Sequence, residues 1–439
     1  MKIINFPVSN AVMDAPYRGR ATNKTGKSVL MRSAVSCGIL LLVSGGVFAQ
    51  MQSQSQILGE TVAGEEPKTL LIQASQAFQR DNNIFRLSEQ SNTQALLGTT
   101  DRSDTVSTTT GGLRFNKAYS LQRFEAGFNV ERYNYSRFSN LNFTAVNYAA
   151  AWRWSITPAF RGNLTTDRRE FVDNLADVQG QGVVNRRTNR TTVLDGGYDI
   201  DGVWRVLGGV FKRDSKNSVR TFEGDSTVSG AEVGVRYQLP YATALEYRYR
   251  NGSGEYENRF FGGLGGADFK DREHELRGEW RPGGRTTLQA KIAYLDRKHD
   301  TLPARDFSGV TGQLDWGYEF TGKTSAVAGI VRELGSYQTN NASYYQGTRV
   351  FIAPMWRATD KITLKARYDY GMRDFKGPLA GFVDTGRSDK IHLASVSAEY
   401  QALRALKLTT WAQQDKRTSN EAFADYKSTS VGVSALVSF

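Results

Sequence analysis

Residues 425–439 read DYKSTSVGVSALVSF, and from Ser430 to the end they alternate without interruption. Val431, Val433, Ala435, Val437 and Phe439 fall on one face, while Ser430, Gly432, Ser434, Leu436 and Ser438 fall on the other. A period of two belongs to a β-strand, whose successive side chains point to opposite sides. A strand half buried in a soluble sheet alternates in the same way. The choice between a soluble and a membrane sheet therefore depends on what precedes these residues.

Upstream, as far as Thr69, the chain repeats the pattern. Phe124, Ala126, Phe128 and Val130 oppose Arg123, Glu125, Asn129 and Glu131; Ile362, Leu364, Ala366, Tyr368 and Tyr370 oppose Lys361, Thr363, Lys365, Arg367 and Asp369. Tyr241, Thr243, Leu245, Tyr247 and Tyr249 likewise oppose Glu246, Arg248 and Arg250. Tight turns are expected at Lys117–Ser120, Thr157–Pro158, Asp201–Gly202, Leu239–Pro240, Pro282–Gly284, Gly322–Lys323, Thr359–Asp360 and Leu403–Arg404. Between them lie longer polar or glycine-rich stretches such as 81–103, 171–183, 214–226, 251–269 and 374–388. Eight tight turns separate nine up-down pairs, which gives 18 strands, with 16 as the alternative.

An even count, both ends on one side and loops of two lengths describe an all-β transmembrane antiparallel barrel of the outer-membrane type. The apolar faces then meet lipid, the charged faces meet the lumen, and the tight turns are periplasmic. Soluble folds seldom run so many long strands in one meander. Trp154, Trp204, Tyr241, Trp280, Tyr318 and Trp356 all sit on apolar faces beside an expected tight turn, as an interfacial aromatic girdle requires. An amphipathic strand closing on Phe439 also resembles the recognition strand by which bacterial outer-membrane barrels engage their assembly machinery.

Composition agrees with this reading. Hydrophobic residues are 39% and charged residues 23% of the chain, and mean hydropathy is -0.47; a barrel escapes such averages because only alternate residues face lipid. The one long apolar run, 33–49, is too short for a comfortable transmembrane helix. Basic residues precede it and it ends in Val47-Phe48-Ala49, the order of a secretory signal peptide cleaved after Ala49. Met31 would start a signal of ordinary length, so residues 1–30 read as an upstream extension. Residues 50–68 form a short periplasmic lead-in and 69–439 the barrel. Cys37, the only cysteine, lies inside the signal, so the processed chain holds neither disulfide nor thiolate. Removing 1–49 takes away six basic residues and Asp14, lowering the formal charge from +12 to +7. No nucleic-acid-binding motif accompanies that charge.

Catalytic, metal and cofactor sites are not expected. His274 and His392 share parity with outward apolar residues, and His299 lies beside a loop, so all three read as interfacial or surface histidines. Asp271, Glu273, Glu275 and Glu279 line one face with Arg277 and Arg281 between them, which fits wall ion pairs better than a glycosidase pair. FFGGLGG at 260–266 precedes no helix and reads as a loop tip, not a phosphate cradle. The lumenal face carries the functional signal: Arg114, Arg123, Arg153, Arg161, Arg205, Arg248, Arg250, Lys361, Lys365 and Arg367 are expected to line an aqueous channel. A ring rich in arginine favours anions. The bland alternative is that these charges solvate the wall and pair with one another.

Several segments carry a resemblance to a known family: DNNIFRL at 81–87, the run RSDTVSTTTGGLRFNKAYSLQRFEAGFNVERYNYSRFSNLNFTAVNYAAAWRWSITP at 102–158, GNLTTDRRE at 162–170 and LGGVFKRDSKNS at 207–218. They resemble the EpsL-type outer-membrane β-barrels associated with exopolysaccharide biosynthesis, often in exosortase-linked loci. The resemblance implies a role in export or assembly of a secreted polysaccharide, with outer-membrane lipid, the barrel-assembly machinery and periplasmic or inner-membrane export components as partners. It implies no catalytic residue. The alternatives are a non-conducting barrel that anchors a polysaccharide assembly complex, and an outer-membrane enzyme acting on polysaccharide or lipid. Amino-terminal sequencing of the processed, membrane-extracted protein is expected to begin at or near Gln50; a start upstream of the apolar run would show that no signal is removed.

Overall fold

An amphipathic strand in lipid must pair both of its edges, because nothing else there can bond its backbone N–H and C=O groups. The computed structural model, which describes residues 69–172, 185–218, 225–239, 243–257, 268–337, 341–379 and 381–439, meets this demand by closure. In chain order the strands are β1 (Leu70–Asp81), β2 (Asp104–Tyr119), β3 (Gln122–Tyr135), β4 (Phe143–Ser155), β5 (Phe160–Val172), β6 (Arg186–Asp199), β7 (Trp204–Asn217), β8 (Asp225–Leu239) and β9 (Thr243–Glu257). There follow β10 (Phe269–Trp280), β11 (Thr286–His299), β12 (Phe307–Glu319), β13 (Thr324–Ser336), β14 (Tyr344–Arg357), β15 (Ile362–Lys376), β16 (Ser388–Gln401), β17 (Leu406–Ser419) and β18 (Tyr426–Ser438). Each is antiparallel to its neighbours in sequence, and β1 pairs with β18, so the 18-stranded sheet has no free edge. The alternative count of 16 does not hold.

The two chain ends of the barrel meet at the short-turn side. Ile72 N–H donates to the Phe439 carbonyl at 3.2 Å, and Phe439 N–H returns a bond to Ile72 O at 2.9 Å. The last residue therefore extends the closing ladder. Gly202 and Gly283 adopt φ of +78° and +79° in two of the tight turns, where a side chain would strain the backbone. The first tight turn differs from expectation. Lys117 and Ala118 remain paired with Phe124 and Arg123, so the chain reverses at Ser120–Leu121, beyond the expected centre, with Ser120 at φ 54°. The Leu239–Pro240 turn, Tyr241 and the 260–266 segment lie outside the described residues, as do the signal peptide, the lead-in and most of 171–183.

Burial runs opposite to that of a soluble protein. On β9, Leu245 and Tyr247 are 47% and 41% exposed, whereas the neighbouring Glu246 and Arg248 are 5% and 8% exposed. The same inversion places Phe124, Phe128, Leu364 and Tyr368 outside. Val431 and Val433 are exposed on the outer wall, sharing parity with Ala435, Val437 and Phe439, while Ser428 and Ser430 are buried on the inner face. Trp204, Trp280 and Trp356 are exposed on the same outer face near tight turns. An apolar exterior around a closed sheet is a membrane-spanning barrel, and the protein is accordingly an outer-membrane β-barrel. Replacing outward Val433 by Arg should cost about 2–4 kcal/mol in reversible folding into lipid vesicles. The inward Ser434→Arg change should cost much less, and equal costs would mean that the two faces are misassigned.

Candidate functional site in the lumen

The inner wall is a lattice of paired charges. Same-face neighbours in a strand are two residues apart and cross-strand partners stand opposite, so Glu246, Arg248 and Arg250 of β9 meet Glu232 of β8 and Glu273 and Glu275 of β10. Arg248 pairs with both Glu232 and Glu246. Arg250 bonds Glu232 at 2.6 Å and Glu275 at 3.1 Å and lies 3.5 Å from Glu273. Lys291 of β11 reaches Glu275 at 2.8 Å, and Arg277 completes that cluster. A second network joins Arg367 and Arg349 to Asp369, each at 2.6 Å, and Lys365 to Glu399 at 2.7 Å.

Towards the tight-turn end Arg123 and Arg153 share Glu125, at 2.9 and 3.0 Å, and Arg161 and Arg205 share Asp199. Arg114 lies on the inward parity of β2. Lys361 sits exposed in the turn before β15, where its backbone N–H bonds the Thr359 hydroxyl, in phase with Lys365 and Arg367 but without an ion-pair partner among the described residues. Nearly every predicted lumenal cation thus arrives with a carboxylate. The wall alternates in sign, offering hydrogen-bond donors and acceptors side by side.

Openness changes along the axis. Near the tight turns the side chains of Arg123, Arg161 and Arg205 are 38%, 33% and 28% exposed; near the long loops those of Arg86, Arg297 and Arg417 are 2%, 1% and 2% exposed. These inward arginines are therefore more open at the tight-turn end and more closely packed at the loop end. Aromatic rings do much of that packing. The Arg297 guanidinium lies 3.9 Å from the Phe269 ring centre, Arg387 lies 4.3 Å from Phe375, and Arg417 lies 5.0 Å from Tyr426. The sequence reading missed these inward aromatics. The available signal was parity: Phe269 is in phase with Asp271 and Glu273, and Tyr426 with Ser428 and Ser430.

The DNNIFRL segment packs into this end against β1, β17 and β18. Asp81, Asn83, Arg86 and Leu87 are all buried. Arg86 bonds Asp81 at 2.8 Å and stands 3.6 Å from Asp415, while Ser428 Oγ donates to Asp81 at 2.6 Å. Arg86 holds φ at 56°, a left-handed conformation that a non-glycine residue keeps only where its surroundings demand it. The short helix α1 (Thr93–Leu97), capped by the Asn92 side chain, completes the β1–β2 loop. Ile84, Val106, Phe138 and Leu141 form an apolar cluster between this loop and the next, with Phe85 edge-on to Phe138 at 4.8 Å. At the rim Arg137 pairs with Asp101 and holds its carboxyl well below the ordinary 3.8. A depressed carboxylate contributes above its unfolded value and is lost only as pH falls through the folded one. This exposed tie is therefore weak but persists in mild acid.

The groups weighed for catalysis take other roles. His274 and His392 lie on the outer wall, where their Nδ1 atoms meet Tyr247 and Tyr368 hydroxyls at 2.8 and 2.9 Å. His299 is not a surface residue: it is 5% exposed, packed against Phe269 with Nδ1 3.4 Å from Asp306. Its position at the strand end hid this, because the β11–β12 loop folds back over it. Glu275 is occupied by three cations and Glu273 lies 3.5 Å from Arg250. Among the described residues no three His, Cys, Asp or Glu side chains converge to hold a metal ion.

Residues 280–439, rather more than a third of the chain, match the family described as "Putative beta-barrel porin 2". No curated protein matches the chain. Among solved structures it is similar to OccK2 (OpdF) of Pseudomonas aeruginosa, at 13% identity and TM-score 0.48, covering 84% of this chain and 98% of that one. The outer membrane protein OpdK of the same organism gives 12% identity and TM-score 0.47, covering 84% and 99%. The siderophore receptor PirA of Pseudomonas aeruginosa gives 10% and 0.42, covering 85% and 81%.

Arg86 is buried between two carboxylates, Asp81 and Asp415. Arg86→Ala leaves Asp81 and Asp415 buried without their shared cation, a loss of about 3–5 kcal/mol where carboxylates cannot rehydrate. Urea unfolding of the barrel in lipid should register it. A change below about 0.5 kcal/mol, the range of ordinary surface substitutions, would show that the cluster is wet.

Proposed function

We propose that this porin-like barrel is an outer-membrane conduit for an exopolysaccharide, entered from the periplasm and constricted near the cell surface. The observation that carries the reading is the axial gradient, from arginines about one-third exposed at the tight-turn end to fully buried ones at the loop end. Paired guanidinium and carboxylate groups suit a hydroxyl-rich chain, since each can donate to or accept from a sugar hydroxyl without an uncompensated charge. The segments at 81–87 and 102–158 support the polysaccharide assignment through the family they resemble. The residual positive charge of the processed chain supports a modest preference for anionic polymers. Driving force comes from synthesis or from periplasmic and inner-membrane export components. The strand Val431, Val433, Ala435, Val437 and Phe439 serves recognition by the barrel-assembly machinery.

The packed mouth favours a second reading, a non-conducting barrel that anchors a polysaccharide assembly complex. Planar-bilayer recordings separate the two. On the conduit reading the wild-type barrel conducts weakly, deletion of residues 84–102 raises single-channel conductance several-fold, and cells lacking the protein stop secreting polymer. A loop-deleted barrel that stays silent would favour the anchor; unchanged polymer secretion without the protein would remove the export role.

A further inference from the structure

The outer wall from β14 round to β1 departs from a smooth convex surface. A shallow apolar groove of about 900 Å³ runs across it. Its axis follows the hydrogen-bond direction, because its lining residues stand in register from strand to strand. Phe78 faces Val433, Val433 faces Thr410, Thr410 faces Ala398, and the row ends at Trp356. Small side chains, Thr410, Ala398 and Ala412, make the floor, and the two large rings stand at the ends.

On the loop side of this groove the wall is cationic. Lys416 stands opposite His392 on one side and Lys427 on the other, and Lys390 lies two residues beyond His392 on the same face. All three lysines are exposed. Arg80 lines the groove itself and, among the described residues, makes one side-chain bond, to Ser103 at 3.5 Å. Among the described residues none of Lys390, Lys416 and Lys427 has an ion-pair partner. The carboxylates on the same wall, Asp374 and Asp425, do not pair with them; Asp374 accepts instead from Ser388 Oγ at 2.9 Å. Three outward lysines elsewhere do carry a carboxylate, Lys212 at 3.8 Å from Asp214, Lys270 at 3.4 Å from Asp300 and Lys298 at 3.6 Å from Asp306; Lys216 and Lys376 have no ion-pair partner among the described residues, but neither belongs to a row of three.

We infer that this face binds a phosphorylated, multiply acylated lipid of the outer leaflet, with its phosphate on the lysine row and an acyl chain in the groove. Lys416 and Ala412 are four residues apart on one strand face, about 13 Å, a separation that a lipid headgroup bridges. Cations left unpaired at the edge of an apolar band attract the anions available at that depth, which are lipid phosphates. A second copy of the chain fits worse. An isologous dimer through this face would bring two lysine rows to the same height on either side of its axis.

The test is native mass spectrometry of the purified barrel titrated with diphosphoryl lipid A, after each variant has shown the heat-shifted electrophoretic migration of a folded barrel. Wild type should retain one lipid. The K390Q/K416Q/K427Q variant should bind at least tenfold more weakly, while K212Q/K270Q/K298Q should bind like wild type. Ala412→Trp should abolish retention by filling the groove, and if it does not fold, the milder Ala398→Leu should weaken retention. Undiminished binding by the first triple variant, equal loss in both triple variants, or retention by the groove variant would each overturn the site. So would a wild-type dimer without lipid that Ala412→Trp converts to a monomer, which would make the groove an interface between copies.

Discussion

Everything in this molecule depends on closing the backbone ladder. A strand in hydrocarbon cannot leave its edge N–H and C=O groups unmet, each unmet group costing several kcal/mol. The pairing of β1 with β18 supplies the last set of partners, down to the reciprocal bonds between Ile72 and Phe439. Once the ring is closed, the side-chain period of two has only one meaning. Every second residue meets lipid and every other one meets the lumen.

The lumen follows from that constraint. Eighteen inner faces bring charged side chains within reach of one another, and a charge surrounded by a low-dielectric wall is stable only when paired. Hence the cross-strand lattice in which Arg250 serves three glutamates and Asp369 serves two arginines. The same logic explains why the mouth is built from an ionic centre, Arg86 between Asp81 and Asp415, and an apolar flank of Ile84, Phe138 and Leu141. The outer wall obeys the complementary rule. Most of it is apolar, and where lysines gather without partners they do so beside a groove with small residues on its floor.

Strand parity was readable residue by residue. Leu245 and Tyr247 against Glu246 and Arg248 were assigned to their faces from alternation alone, and the exposures agree. Turn positions were readable where Gly, Pro or Asp punctuates the chain, as at Gly202 and Gly283, and less so at Ser120, where no such residue marks the reversal. The inward aromatics escaped notice because an aromatic ring on a strand is by default assigned to lipid. Only the phase of Phe269 with Asp271, or of Tyr426 with Ser428, reveals otherwise. His299 escaped for a different reason: its burial comes from a loop that returns over it.

By itself the sequence determined the class of the protein and the two faces of its strands, and it narrowed the strand number to 18 or 16, because these are local consequences of a period-two pattern. Which cation meets which carboxylate, how the 81–87 segment packs against β1, β17 and β18 and where the outer wall forms a groove were decided only by the tertiary structure. These depend on register between strands that are far apart in the chain, as Ala77 and Ser434 are across the closing seam. A one-residue shift there would leave the local pattern of each strand intact while turning every cross-strand partner into a different one.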